Sequence, residues 1–154
     1  MMRIKQEQKN GITRIKIEGK VNEDMPDPNA MDIPTGLLEV DCEALASIDG
    51  VGVQKWMNFF RSVRGHGVKL KFTRCSPTLV RQASMLLSGF LPKEEVDSIG
   101  LPFFCESCCT TTVVCHKVFD LQEQSYEFQE PHCQTCGKPM EFDDLPELFF
   151  QFLK

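Results

Sequence analysis

Polar and apolar positions alternate along the first half of the chain with two different periods. Across residues 13–18 the order Thr-Arg-Ile-Lys-Ile-Glu puts Ile15 and Ile17 on one side, the period-two mark of a half-buried strand. Ile4 leads a strand before it. Asn10-Gly11 between them is a hairpin turn, because both central residues of a type I′ turn need positive φ. Residues 37–42 read as a third strand and residues 68–73, with Val68, Leu70 and Phe72 alternating against lysines and threonine, as a fourth. Between those two the period changes. Val53, Trp56, Met57, Phe60 and Val63 recur at three-and-four spacing and predict a helix over 51–63, closed by Gly65-His66-Gly67. Ser76-Pro77 predicts a second start, with serine as cap and proline in the first turn. Leu79, Val80, Ala83, Leu86 and Leu87 form its apolar side, and Gly89 stops it. Residues 21–36 carry Pro26, Pro28 and Pro34 among acids, which predicts a loop without a sustained helix. Strand, helix, strand, helix with short links predicts an α/β fold with helices on a sheet and a right-handed crossover.

The last third has another texture. Residues 110–119 are β-branched and strand-like, and Tyr126-Glu127-Phe128 predicts the return strand of a hairpin. The tail over 143–153 predicts a short helix capped by Asp144, with Glu147 at the capping-box position. Leu145, Leu148, Phe149, Phe152 and Leu153 share its apolar face, and Phe150 falls to the side. So short and apolar a helix is not stable alone in water. It packs back on the chain, or grips a partner or a second copy.

Composition narrows the class. The chain has 154 residues, 42% apolar and 25% charged, which are globular values. The longest mostly apolar stretch, residues 85–91, is far short of the roughly 20 that a membrane span needs. The start, MMRIKQEQKN, has no apolar core of a secretory signal, so the expected location is the cytoplasm, with thiols reduced. Charge divides unevenly. Residues 1–102 hold 14 basic and 13 acidic side chains, and residues 103–154 hold 3 and 9, giving +1 and −6 within the total of −5. A boundary near Leu101 therefore separates units 1–102 and 103–154.

Cysteine usage changes the picture most. Of eight cysteines, Cys42 and Cys75 stand alone and six fall between Cys105 and Cys136. Cys105-Glu-Ser-Cys108 and Cys133-Gln-Thr-Cys136 are two C-x-x-C pairs, each able to aim two sulfurs at one point from a tight turn. Gly137 follows the second pair, where such a turn often needs positive φ. Residues 103–142 resemble a zinc ribbon, which implies one structural zinc on Cys105, Cys108, Cys133 and Cys136. A full four-cysteine cage leaves no open position for catalysis, although His116 and His132 lie close in sequence. Cys109 and Cys115 are spare thiols. Cys115 is expected inside the ribbon core as a small hydrophobe, and the competing reading is a redox sensor. The acidity of the unit, to which a four-thiolate zinc adds, argues against nucleic-acid binding.

The first unit resembles a family as well. Ser47-Ile48-Asp49-Gly50-Val51-Gly52-Val53, Gly67-Val68-Lys69-Leu70, Cys75-Ser76-Pro77 and Ser88-Gly89-Phe90 stand in the order and spacing of the STAS domain, across about residues 12–100. That family includes the anti-sigma factor antagonists of bacteria and the cytoplasmic ends of sulfate transporters. The resemblance implies a mixed sheet with helices packed on it and a role in protein–protein signalling rather than catalysis. It puts a partner-docking surface at Asp49, Gly50, Val51 and Gly52, and a partner of the anti-sigma factor or kinase-like regulator kind. Where the antagonists carry a phosphorylated serine, this chain has Val51, which has no hydroxyl. The proline-rich 21–36 loop also departs from the family, which has a helix there. Asp49 and the glycines also admit a plain reading as cap and turn residues. No Walker loop, Gly-x-Ser-x-Gly elbow or His-Glu-x-x-His occurs. The expected function is a non-enzymatic bacterial signalling adaptor. The alternatives are a thiol-based sensor or oxidoreductase, and a domain that binds a small ligand or nucleotide near residues 49–52.

Overall fold

The computed structural model describes residues 1–33, 36–86 and 89–154. It is a mixed α/β fold. Strand β1 (Arg3–Lys9) and strand β2 (Ile12–Val21) form an antiparallel hairpin. Its turn has Asn10 and Gly11 at φ 54° and 77°, as the sequence predicts. Strand β3 (Leu37–Asp41) runs parallel to the first half of β2, and β4 (Leu45–Ile48) runs parallel to its end. Strand β5 (Lys69–Thr73) continues the sheet on the far side of β3. Alternation puts Ile15, Ile17, Leu38, Val40, Leu70 and Phe72 on one face, all buried. The opposite face carries Arg14, Glu39, Asp41 and Lys71. Glu39 there binds Arg14 at 2.9 Å and lies 3.7 Å from Lys71, and Asp41 pairs with Arg74.

Helix α1 (Gly50–Gly65) covers the apolar face. Trp56 stacks on Phe72 at 5.7 Å and on Phe90 at 5.6 Å, and its indole N–H donates to the Phe90 carbonyl at 3.1 Å. The buried stripe is Gly52, Trp56, Phe59, Phe60 and Val63. Phe59 thus replaces the expected Val53 and Met57, which are only partly buried. Helix α2 (Pro77–Leu86) buries Leu79, Val80 and Ala83. Leu86 is at the surface, and Leu87 and Ser88 lie outside the described residues. Among its described residues, the 21–36 loop contains one short 3-10 turn, Pro28–Ala30, capped by Asp27.

The chain departs from expectation after residue 95. Strand β6 (Ser98–Cys105) pairs antiparallel with β7 (Thr110–Lys117) on one side and with β8 (Glu141–Phe142) on the other. It also meets Cys75 through a parallel bridge at Ile99, so one strand links the two sheets. The change of composition near residue 102 falls inside β6. Tyr126-Glu127-Phe128 is not the return strand. Strand β7 leads into α3 (Val118–Glu123), and Ser125 and Tyr126 follow in left-handed conformation at φ 53° and 63°. The continuous apolar run 99–103 supplies β7's partner instead, a two-sided burial with no alternation for a period count to find.

The tail corrects a second expectation. Its helix α4 (Pro146–Phe149) is one turn, continued by a 3-10 turn at Gln151–Leu153. Phe149, Phe150, Phe152 and Leu153 are buried, whereas Leu145 and Leu148 are each 60% exposed. The break between the two turns rotates Phe150 inward against Phe142 and Tyr126, at 5.9 and 5.2 Å. Asp144 does not cap the helix. It binds Arg81 of α2 at 2.6 Å. Ser84 of α2 donates to the Phe149 carbonyl at 2.8 Å and accepts from the Phe152 N–H at 3.3 Å, which fastens the tail to its own chain.

Candidate metal centre

The two C-x-x-C pairs sit in two tight turns. The first closes the β6–β7 hairpin, with Cys105 the last residue of β6. The second lies in a small hairpin in which His132 bridges Pro139, the Cys133 N–H donates to the Lys138 carbonyl at 2.8 Å, and the Gly137 N–H donates to the Cys133 carbonyl at 2.7 Å. The residue after each pair is left-handed, Cys109 at φ 54° and Gly137 at φ 76°. This lets each turn reverse directly behind its second sulfur. Lys138 ties the turns together through a 2.9 Å bond to the Ser107 hydroxyl.

The four sulfurs of Cys105, Cys108, Cys133 and Cys136 all lie within 4.8 Å of one another. Cys105 and Cys136 are 3.5 Å apart and Cys133 and Cys108 3.9 Å, far beyond a disulfide bond of about 2.05 Å. Cys105 and Cys133 are buried, Cys108 half-buried and Cys136 exposed. The backbone N–H groups of Cys136 and Thr135 point at the Cys133 sulfur and pull its thiol down to about 6. The Cys136 thiol, together with burial, pushes Cys108 up to about 12. Four thiols this close resist joint ionisation, and a bound cation removes that resistance. The donor set therefore fits a metal ion.

The other candidates are placed as follows. His116 and His132 do not join the sulfur cluster among the described residues. The His116 ring is 6.5 Å from Phe128, and burial lowers its pKa, with the charge of Asp120 opposing. Cys115 is exposed on β7 rather than inside the ribbon core, because odd-numbered residues of β7 face away from the Phe103–Phe128 packing. Cys109 is exposed too. Cys42 and Cys75, distant in sequence, are both buried. Burial first, then the neighbouring Cys75 thiol, drives Cys42 well above the ordinary thiol range, which disfavours its thiolate.

At the start of α1, Asp49 caps the helix, its carboxylate accepting from the Gly52 N–H at 2.7 Å, with Lys20 3.7 Å away. Gly50 is exposed, and a Cβ there would meet nothing within 4 Å. Val51 is 52% exposed. Gly52 is different: a Cβ would lie 2.1 Å from the Val21 carbonyl oxygen, so the helix approaches β2 through glycine. Sequence reasoning grouped the four. The structure separates a cap and a packing glycine from two exposed positions. No protein-family model, curated protein or solved structure matches this chain.

Proposed function

We propose that this chain is a non-enzymatic regulatory adaptor in which a STAS-like unit docks a protein partner and a ribbon is held by one structural zinc ion. The observation that carries the reading is the convergence of four thiols from two turns. A tetrahedral zinc with Zn–S bonds of about 2.3 Å has sulfur–sulfur edges of about 3.8 Å. The spacings of 3.5 and 3.9 Å bracket that value. Thiolates are soft ligands that favour zinc or iron over magnesium and calcium. Four protein ligands fill the tetrahedron, which makes the role structural. Elemental analysis of the purified protein tests it. The expected result is about one zinc per chain. Absence of zinc, with Cys105, Cys108, Cys133 and Cys136 all reacting freely in native buffer, overturns it, and visible absorbance from iron–thiolate would replace zinc with iron.

The docking part rests on the exposed first turn of α1 and on the STAS resemblance. Val51 offers a small apolar contact where that family carries its phosphorylated serine, so the surface is competent without a phosphorylation switch. Val51→Asp leaves the fold intact, since an acid is favourable at a helix start, and weakens partner binding. Capture of one partner by the parent and equally by Val51→Asp sinks this surface. A second reading, a thiol-based sensor, draws on the exposure of Cys109 and Cys115. Treatment with dilute hydrogen peroxide followed by mass spectrometry separates it, because an adaptor leaves both thiols unpaired and retains its metal.

A further inference from the structure

Strand β7 has an open edge. On β6, the Gly100 N–H donates to the Cys75 carbonyl at 2.8 Å, the Ser98 carbonyl accepts from Cys75 at 3.0 Å, and the Pro102 carbonyl accepts from Asp143 at 2.9 Å. The even-numbered residues of β6 therefore turn their backbone groups away from β7. Alternation turns Ile99, Leu101, Phe103 and Cys105 toward it, onto His116, Val114, Thr112 and Thr110. On β7 the outward groups are those of Thr111, Val113 and Cys115. Among the described residues no backbone group outside the β6 ladder bonds to them. All three are exposed, Val113 by 52%.

The edges of β1 and β8 are protected. Strand β1 carries Arg3, Lys5, Glu7 and Lys9 in seven residues, and β8 is two residues long. Charges and shortness of this kind block edge-to-edge pairing. Residues 110–116 have no charge, no proline and no glycine. We infer that the outer edge of β7 docks a second copy of this chain, the two strands pairing antiparallel about Val113 across a two-fold axis.

The sequence of the edge argues for a copy of itself. A two-fold axis through such a ladder pairs residues whose numbers sum to an even value, so outward groups meet outward groups. Centred on Val113, the outward set Thr111, Val113 and Cys115 pairs with its counterpart without remainder, forming about six hydrogen bonds. Val113 meets its own copy and Thr111 meets Cys115. On the other face Thr112 meets Val114 and Thr110 meets His116. Two of these four pairs, Val113 with its copy and Thr112 with Val114, join β-branched residues, the type that packs well across strands. The one charged residue, Lys117, falls opposite the second copy's Cys109, so no like charges face each other. The contact is isologous and closes at two chains, joining two three-stranded sheets into one. Each chain carries −5, so association strengthens as salt screens the repulsion, the opposite of what a basic peptide on this edge would do.

Sedimentation of the metal-loaded protein from about 1 μM to about 1 mM, with hydrogen exchange at both ends of the series, tests the inference. The expected result is a monomer–dimer equilibrium favoured by salt. The amides of Thr111, Val113 and Cys115 slow about tenfold or more at high concentration, while those of Thr112, Val114 and His116 are slow throughout. Val113→Lys sets like charges face to face and leaves a monomer with unchanged metal content, whereas Val113→Thr still pairs. Leu148→Lys, on the exposed side of the tail, leaves the dimer intact. A monomer at every concentration, a dimer that survives Val113→Lys, or one lost with Leu148→Lys overturns the inference. Should Val113→Lys fail to fold, exchange on the unsubstituted chain decides, and outward amides indifferent to concentration overturn it.

Discussion

Two glycines two residues apart in α1 have opposite requirements. Gly52 has the Val21 carbonyl where its Cβ would be, so Gly52→Ala forces helix and sheet apart and should cost about 2 kcal/mol or more in chemical denaturation. Gly50 has open space, and Gly50→Ala should be neutral or stabilise by about 0.5 kcal/mol by restricting the unfolded chain. The residues behind the two thiol pairs make a similar contrast. Gly137 takes the left-handed conformation at no steric cost, whereas Cys109 holds it with a side chain. Cys109→Gly should raise stability by about 1 kcal/mol and leave the metal content unchanged. Loss of metal in that variant would make Cys109 a ligand. His116 sets a pH dependence whose sign follows from its lowered pKa. The unfolded chain takes up the proton first. Stability is therefore intact above about pH 6.5, falls as pH drops below it, and stops falling once the folded value is passed. A proton NMR titration of the His116 ring should give a midpoint below about 6.5, and His116→Phe should flatten that slope.

At the scale of elements, the tail is held by the core it completes. Phe150 lies 5.9 Å from Phe142 and 6.1 Å from Phe128, and Phe149 meets Phe142 edge-on at 5.2 Å. Phe150→Ala should cost about 3–5 kcal/mol, against well under 1 kcal/mol for the exposed Leu148→Ala. Equal melting points for the two variants would mean that the tail is not docked. Helical spacing alone ranked these residues the other way, because it assumed one continuous helix. Pro146 in the first turn and the change to a 3-10 turn after Phe149 alter the rotation per residue, and Phe150 comes inward. The hairpin β1–β2 was legible for the converse reason. Asn10-Gly11 and the alternation around Ile15 are local signals, and nothing distant overrides them.

For the whole molecule, metal removal is the informative perturbation. The second sheet packs a small core around Phe103, Phe128 and Phe142, and the four sulfurs converge from its two turns. Chelation should unfold residues 103–142, since so small an apolar core rarely suffices alone. The chain carries one reporter for each part. Trp56 packs on Phe60, Phe72 and Phe90, away from the sulfurs, and Tyr126 packs on Phe150 with its hydroxyl donating to the Leu153 carbonyl at 3.2 Å. Under chelator the Tyr126 near-ultraviolet signal should vanish while Trp56 emission stays that of a buried indole. Simultaneous loss of both would mean that β6 couples the sheets into one cooperative unit.

What the sequence determined was whatever depends on neighbours along the chain. The hairpin turn, the two helix starts at Asp49 and Ser76, the alternation of β2 and β5, and the two C-x-x-C pairs are all short-range patterns, and each is where it was expected. The C-x-x-C spacing fixes how two sulfurs share a turn, and a shared target follows once two such turns exist. Only the tertiary structure decided which strands pair with β7, because an apolar run buried on both sides carries no period and its partner is chosen by packing. It decided which of Gly50 and Gly52 can bear a side chain, which is set by a carbonyl about 30 residues earlier in the chain. It also decided that Phe150 and not Leu148 is core, since a one-turn helix takes its orientation from the surface it docks on rather than from its own spacing.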